Sequence, residues 1–125
     1  MTNHNNHFLQ NAWYCASWSD EVGEGMFERL VARHPLLLYR TADGNPVALK
    51  NMCPHRFSPL HTGKLVNSII QCPYHGLRFD SSGACVYNPH SGGHIPETLC
   101  VRTYPVVERY DMLWVWLGDG IGADT

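Results

Sequence analysis

Residues 53–76 decide the fold: they open with Cys53-Pro54-His55-Arg56 and close with Cys72-Pro73-Tyr74-His75-Gly76. Each end supplies one thiol and one imidazole, and 16 residues separate His55 from Cys72. A proline directly after each cysteine restricts the backbone of that loop. Gly76 permits a backbone conformation that a Cβ would resist. The pattern predicts two matched loops that share one metal centre.

Two cysteines and two histidines in this order are the ligand set of a Rieske 2Fe–2S centre, in which thiolates hold one iron and neutral imidazoles hold the other. We therefore predict that Cys53, His55, Cys72 and His75 bind one 2Fe–2S cluster per chain and that the chain transfers single electrons. Replacing thiolate by imidazole removes negative charge, so the potential should exceed that of an all-cysteine centre.

A single tetrahedral zinc ion bound by the same four residues is the competing metal site. Zinc sites usually begin with two cysteines about two to four residues apart, and Cys53 has no such neighbour. A zinc-stabilised binding module without a redox role stays open as the alternative.

The composition is that of one soluble globular domain: 125 residues, 44% of them hydrophobic and 16% charged, with a net charge of −2. The apolar run at 112–117 is far shorter than the roughly 20 residues of a spanning helix, so we expect no membrane insertion. The nine Lys and Arg are scattered, which argues against nucleic acid as a partner. Residues 1–7 lack the features of a secretory leader, so we expect a cytoplasmic protein.

Short runs of β-branched and aromatic residues recur between turn signals, and no long window has helical periodicity. The predicted strands are 13–18, 29–33, 36–40, 47–50, 68–71, 77–80, 84–87, 101–107 and 112–117. Turns are expected at 43–45, 81–83 and 109–111, and Pro105 indicates an edge strand or a bulge. Nine short strands at close spacing predict an all-β fold, either an antiparallel sandwich or a barrel-like fold.

Beyond the two loops, the sequence resembles the N-terminal part of Rieske non-haem iron oxygenases. The likeness is greatest to the O-demethylase and methyl-monooxygenase branch, which includes the vanillate, dicamba and toluenesulfonate oxygenases. It extends over residues 8–119, which is about a third of such an oxygenase. Besides the loops it rests on residues 11–14, 56–57, 76–80, 88–90 and 105–109.

The resemblance implies that residues 8–119 form a Rieske domain, an all-β, Rieske-type antiparallel β-sandwich with a small cluster-binding subdomain of two loops. The polar residues 1–7 are expected to be disordered, and the glycine-rich residues 120–125 to be a tail or a severed linker to a catalytic domain outside this chain. The implied function is electron transfer within the terminal oxygenase component of an aromatic-compound monooxygenase or dioxygenase that demethylates or hydroxylates methyl groups. We expect the chain alone not to oxygenate a substrate. A stand-alone Rieske ferredoxin is the alternative.

The resemblance also implies partners. The electron donor is a flavin or iron–sulfur reductase that uses NADH. The acceptor is a mononuclear Fe(II) site in the catalytic domain of a neighbouring subunit, within a homotrimer of the full-length protein.

Respiratory Rieske proteins carry one extra cysteine in each cluster loop, joined as a disulfide, where this chain has Ser58 and Tyr74. We therefore expect a midpoint potential in the lower part of the roughly −150 to +300 mV Rieske range. A measured midpoint well above zero would contradict this expectation.

The other cysteines and histidines are predicted to be structural or solvated. Cys15, Cys85 and Cys100 are expected to be small buried hydrophobic residues, His34 to be solvated, and His61 to have a structural role between the two loops. Glycines between His90 and His94 disfavour a helix there, so these two histidines are not expected to form an iron site.

Overall fold

The computed structural model describes residues 11–54, 58–73, 76–89, 95 and 99–118. Within these residues every strand pair is antiparallel and no α-helix is present, which confirms the predicted all-β fold. Two 3-10 turns, Ser19–Glu21 and Leu60–Thr62, interrupt the strands. The strands are β1 (Ala12–Trp18), β2 (Phe27–Val31), β3 (His34–Arg40), β4 (Pro46–Lys50), β5 (Lys64–Val66), β6 (Ile69–Gln71), β7 (Arg78–Phe79), β8 (Cys85–Tyr87), β9 (Thr103–Tyr104), β10 (Val106–Arg109) and β11 (Met112–Leu117).

The strands form three sheets, with the orders β1-β11-β10, β2-β3-β4-β9 and β5-β6-β7-β8. Hairpins β2–β3, β5–β6 and β10–β11 turn through two residues that both have positive φ, between 46° and 70°. Positive φ at both positions is the requirement of a type I′ turn, whose twist matches that of the strands. In the described part of the chain, no helix has the length and apolarity needed to cross a membrane.

The middle sheet is buried on both faces. Four consecutive residues of β3, Leu36 to Tyr39, are 0% exposed. Leu36 and Leu38 pack in one core with Leu113 and Val115 of β11, whereas Leu37 and Tyr39 pack in a second core. A strand covered on both faces has a continuous apolar run instead of an alternating one. The second core also contains Cys53 and Cys72, so the two cysteines pack against the face of the middle sheet that carries Leu37 and Tyr39.

Arg40, at the end of β3, joins the middle sheet to β10. Its guanidinium donates to both carboxylate oxygens of Glu108, at 3.1 and 2.8 Å. It also donates to the backbone carbonyls of Val22, Ser19 and Gly44. The hydrogen bonds from Arg40 lower the pKa of Glu108 below its ordinary value. A forked, charge-assisted contact of this kind fixes the orientation of both side chains.

The structure differs from the sequence predictions in three strands. The predicted strand 29–33 ends at Val31, because Ala32 and Arg33 form a turn. The predicted strand 101–107 is divided at Pro105 into β9, an edge strand of the middle sheet, and β10 of another sheet. Strand β5 was not predicted at all. The turns at 43–45, 81–83 and 109–111 are confirmed.

Two predictions for isolated side chains are wrong. Cys15 and Cys100 are exposed, and only Cys85 is buried as expected. His34 is partly buried: its ring packs edge-on against Tyr104, with Nδ1 at 3.3 Å from the phenol oxygen. Burial, followed by the positive charges of Arg102 and Lys50, lowers the pKa of His34. His34 is therefore a packed residue and not a solvated one.

Candidate metal centre

The structure describes the two predicted cysteine ligands but not the two predicted histidine ligands. Cys53 follows β4 and Cys72 follows β6. His55 and His75 lie outside the described residues, as do Phe57 and Tyr74 beside them and His90 and His94 farther along the chain.

The two cysteine loops are closed by the same hydrogen bond. The backbone N–H of Cys53 donates to the carbonyl of Ser58 at 2.8 Å, and that of Cys72 donates to the carbonyl of Leu77 at 2.7 Å. In both loops the acceptor therefore lies five residues after the cysteine. Two segments distant in sequence thus adopt the same closure, with a cysteine at the same position in each.

Gly76 gives the second loop a conformation that other residues resist. Its φ is +75°, and its N–H donates back to the carbonyl of Cys72 at 3.3 Å. A Cβ here would also lie 3.5 Å from the ring of Pro89. The need for glycine that the sequence indicated is therefore a backbone requirement.

Both thiols are excluded from water, since Cys53 is 0% exposed and Cys72 is 1% exposed. They belong to one buried cluster, together with Leu37, Leu60 and Phe79. A pair of buried thiols in one core suits the thiolate half of a 2Fe–2S ligand set. Thiolates suit zinc as well, so the distinction between the two metals comes from the relatives of this chain.

The segment between the loops packs against both of them. Gly63 lies against the backbone of Gln71, so closely that a Cβ at Gly63 would overlap the carbonyl oxygen of Gln71. Gln71 directly precedes Cys72. Sequence reasoning missed Gly63 because a single glycine after a short turn resembles any other loop glycine.

Asn51 is a second residue that sequence reasoning missed. Its side chain contacts His61 at two points, and His61 in turn contacts Glu28 of β2. The predicted structural role of His61 is confirmed by these contacts. The only signal for Asn51 was its position two residues before Cys53, which does not identify a partner.

Tyr39 places a neutral phenol in the core beneath the loops. Burial, followed by the negative charge of Asp80, raises the pKa of Tyr39 to about 12. The hydroxyl is 3.5 Å from the carbonyl oxygen of Ser68 in the β5–β6 turn. Tyr39 therefore adds no charge to the core that contains the two thiols at neutral pH.

Comparison with known proteins places residues 12–105 in the family described as the Rieske [2Fe-2S] domain. The oxygenase component of dicamba O-demethylase from Stenotrophomonas maltophilia is 51% identical over 117 residues, which are 94% of this chain and 34% of that protein. The toluene-4-sulfonate monooxygenase system iron-sulfur subunit of Comamonas testosteroni is 47% identical over 118 residues, again 94% of this chain and 34% of that protein.

A crystal structure of apo dicamba monooxygenase superposes with a TM-score of 0.89 at 51% identity, over 94% of this chain and 36% of that one. The resemblance to the O-demethylase and methyl-monooxygenase branch is thereby confirmed. The chain spans about a third of the length of the curated relatives it matches.

Proposed function

The chain belongs to the Rieske [2Fe-2S] domain family, whose cofactor is a 2Fe–2S cluster, and from this premise we propose that Cys53, His55, Cys72 and His75 are the cluster ligands. The observation that supports this assignment most directly is the pair of buried thiols at equivalent positions of two identically closed loops. His55 follows its cysteine by two residues and His75 follows its cysteine by three. Each loop thus contributes one thiolate and one imidazole.

Such a cluster, when bound, accepts and releases one electron at a time. The residues of this chain position the ligands and control access to them. Pro54 and Pro73 restrict the backbone after each thiol. The apolar core around Cys53 and Cys72 excludes water from the thiolate side, and both the burial and the hydrogen bonding of ligands are means by which a protein tunes a redox centre.

The function supported best is that of the electron-transfer domain in the terminal oxygenase component of an aromatic-compound monooxygenase or dioxygenase. Relatives at 51% and 47% identity are named as an oxygenase component and as a subunit of a monooxygenase system, and this chain matches about a third of each. We assign the Rieske domain to residues 8–119.

The relatives are named as components of multicomponent oxygenase systems, which supports the partners that we propose for the whole protein. An NADH-dependent flavin or iron–sulfur reductase supplies electrons in the cytoplasm, and a mononuclear Fe(II) in a neighbouring subunit of a homotrimer receives them. The substrate class is an aromatic acid or sulfonate that bears a methyl or methoxy group. A stand-alone Rieske ferredoxin is the second candidate; a coding sequence that stops at Thr125 would favour it, and one that continues into a segment with two histidines and a carboxylate would favour the oxygenase.

The ligand assignment is tested by purifying the 125-residue chain without oxygen and recording its absorption spectrum, its iron and zinc content and the EPR spectrum of the reduced form. We expect a red-brown protein with two irons per chain and a rhombic EPR signal. Cys72→Ala should abolish the signal. The matched control is Cys85→Ala, because Cys85 is buried in the same core but lies outside both loops; it should keep the signal.

Two results would contradict the proposal. A colourless protein with one zinc per chain would reject electron transfer altogether. Retention of the EPR signal in Cys72→Ala would reject the ligand assignment.

A further inference from the structure

The two cysteine loops differ in the hydrogen bonds that join the chain before each loop to the chain after it. Under the second loop, Gln71 of β6 pairs with Arg78 of β7, and the Arg78 Nε donates to the Gln71 side chain at 3.1 Å. The strand that leads into Cys53, β4, pairs with β3 and β9. Among the described residues it does not pair with the segment after the first loop, so that loop has no equivalent strand pairing. The backbone N–H of Asn51 instead donates to Pro35 of β3, at 2.9 Å.

The side chain of Asn51 supplies the missing closure. Its Oδ1 accepts the backbone N–H of His61 at 2.9 Å, and its Nδ2 lies 2.8 Å from the Nδ1 of the His61 ring. The Asn51 amide therefore joins the two ends of the first loop. Asn51 lies two residues before Cys53, and His61 lies three residues after Ser58. These contacts form an outer closure around the inner hydrogen bond between Cys53 and Ser58.

The hydrogen bonds also determine which tautomer the His61 ring adopts. Because the Asn51 Oδ1 is engaged by the His61 backbone, the Nδ2 group is the one that faces the ring, and Nδ1 must accept. The ring proton is then on Nε2, which lies 3.4 Å from the Glu28 carboxylate on β2. The chain Asn51, His61, Glu28 thus ties the base of the first loop to the edge of the middle sheet.

We propose that Asn51 and His61 are positioning residues for the first cluster loop, and that their paired hydrogen bonds replace the strand ladder that supports the second loop. This inference rests on the proposed function, since it assumes that the loop carries Cys53 and His55 as ligands. Asn51 and His61 act by holding the ends of the loop at a fixed separation.

The test compares variants of the cluster-loaded 125-residue chain by the rate of cluster loss in an iron chelator, followed by absorbance, and by the EPR spectrum of the reduced form. One net hydrogen bond changes an equilibrium by about two- to tenfold. Asn51→Ala removes both contacts and should accelerate cluster loss by about tenfold or more, with altered EPR g-values. His61→Ala removes the ring contacts with Asn51 and Glu28 but keeps the backbone hydrogen bond to Asn51, and it should have a smaller effect.

Two further variants separate positioning from general stability. Asn51→Asp should restore slow cluster loss, because a carboxylate can accept the His61 backbone N–H and also a proton shifted to the ring Nδ1. His34→Ala is the control: it removes another partly buried histidine, whose ring contacts Tyr104 and not Asn51 or His61. It should lower the thermal midpoint without changing the g-values or the rate of cluster loss.

The inference is overturned if Asn51→Ala behaves like His34→Ala, or if Asn51→Asp loses the cluster as fast as Asn51→Ala. Should Asn51→Ala yield no folded protein, equal rates and g-values in His61→Ala and His34→Ala would overturn it. Cys72→Ala, measured in parallel, distinguishes this failure from failure of the proposed function: if Cys72→Ala keeps the cluster, the ligand assignment itself is wrong.

Discussion

Replacing Gly63 with alanine should disturb the second cysteine loop through a purely steric effect. The new Cβ would overlap the carbonyl oxygen of Gln71 and would lie 3.1 Å from its carbonyl carbon and 3.2 Å from the Cδ of Pro73. These are backbone and ring atoms, so no side-chain rotation relieves the contact. Overpacking of this kind typically costs about 1–3 kcal/mol. Relief requires the end of β6 to move, and Cys72 moves with it.

The assay is urea unfolding of the cluster-loaded chain at matched iron content, followed by tryptophan fluorescence. With a urea dependence of about 1–2 kcal/mol per M, a loss of about 2 kcal/mol lowers the midpoint by about 1–2 M. Gly23→Ala is the control, because nothing lies within 4 Å of a Cβ at Gly23, and it should stay within about 1 kcal/mol of the parent. Equal midpoints for Gly63→Ala and Gly23→Ala would refute the close approach.

Two further predictions concern the middle sheet. Leu37→Ala and Leu38→Ala each remove a fully buried leucine side chain from β3, and each should lower the free energy of unfolding by about 2–5 kcal/mol. Only Leu37→Ala, on the side of the cysteine loops, should alter the EPR spectrum. Identical spectra for the two variants would contradict this division of the two cores. The lowered pKa of Glu108 means that its pairing with Arg40 stabilises the fold above pH 4.5, the ordinary value, and that this contribution is lost as the pH falls through the folded-state pKa. Glu108→Gln should therefore reduce the loss of stability that occurs as the pH falls below 4.5, and an unchanged dependence of stability on pH would show that the contact contributes nothing.

The β2–β3 hairpin shows why some elements could not be predicted from the sequence. Its turn residues, Ala32 and Arg33, both have positive φ, yet neither is a glycine, asparagine or aspartate, the residues that normally indicate such a turn. The turn forms because pairing of five residues on each side offsets the local strain. The β10–β11 turn was predicted because Asp111 carries an ordinary turn signal.

What the sequence by itself determined is the chemistry of the centre. The residue types and spacing of the two Cys-Pro loops predict the cofactor, because metal ligation depends on which donor atoms occur at short intervals along the chain. The antiparallel fold class followed from short alternating runs and turn residues in the same way. Each of these signals is local, so no knowledge of long-range contacts was needed.

Only the tertiary structure decided how the loops are supported. The division of β3 between two cores, the approach of Gly63 to Gln71 and the bridge from Asn51 to His61 all join residues that are separated in sequence. The contacts of Gly63 and Asn51 have no periodic or compositional signature, because an asparagine or a glycine fits many loops equally well. Their roles arise from the packing of three sheets, which places both cysteines in one buried core.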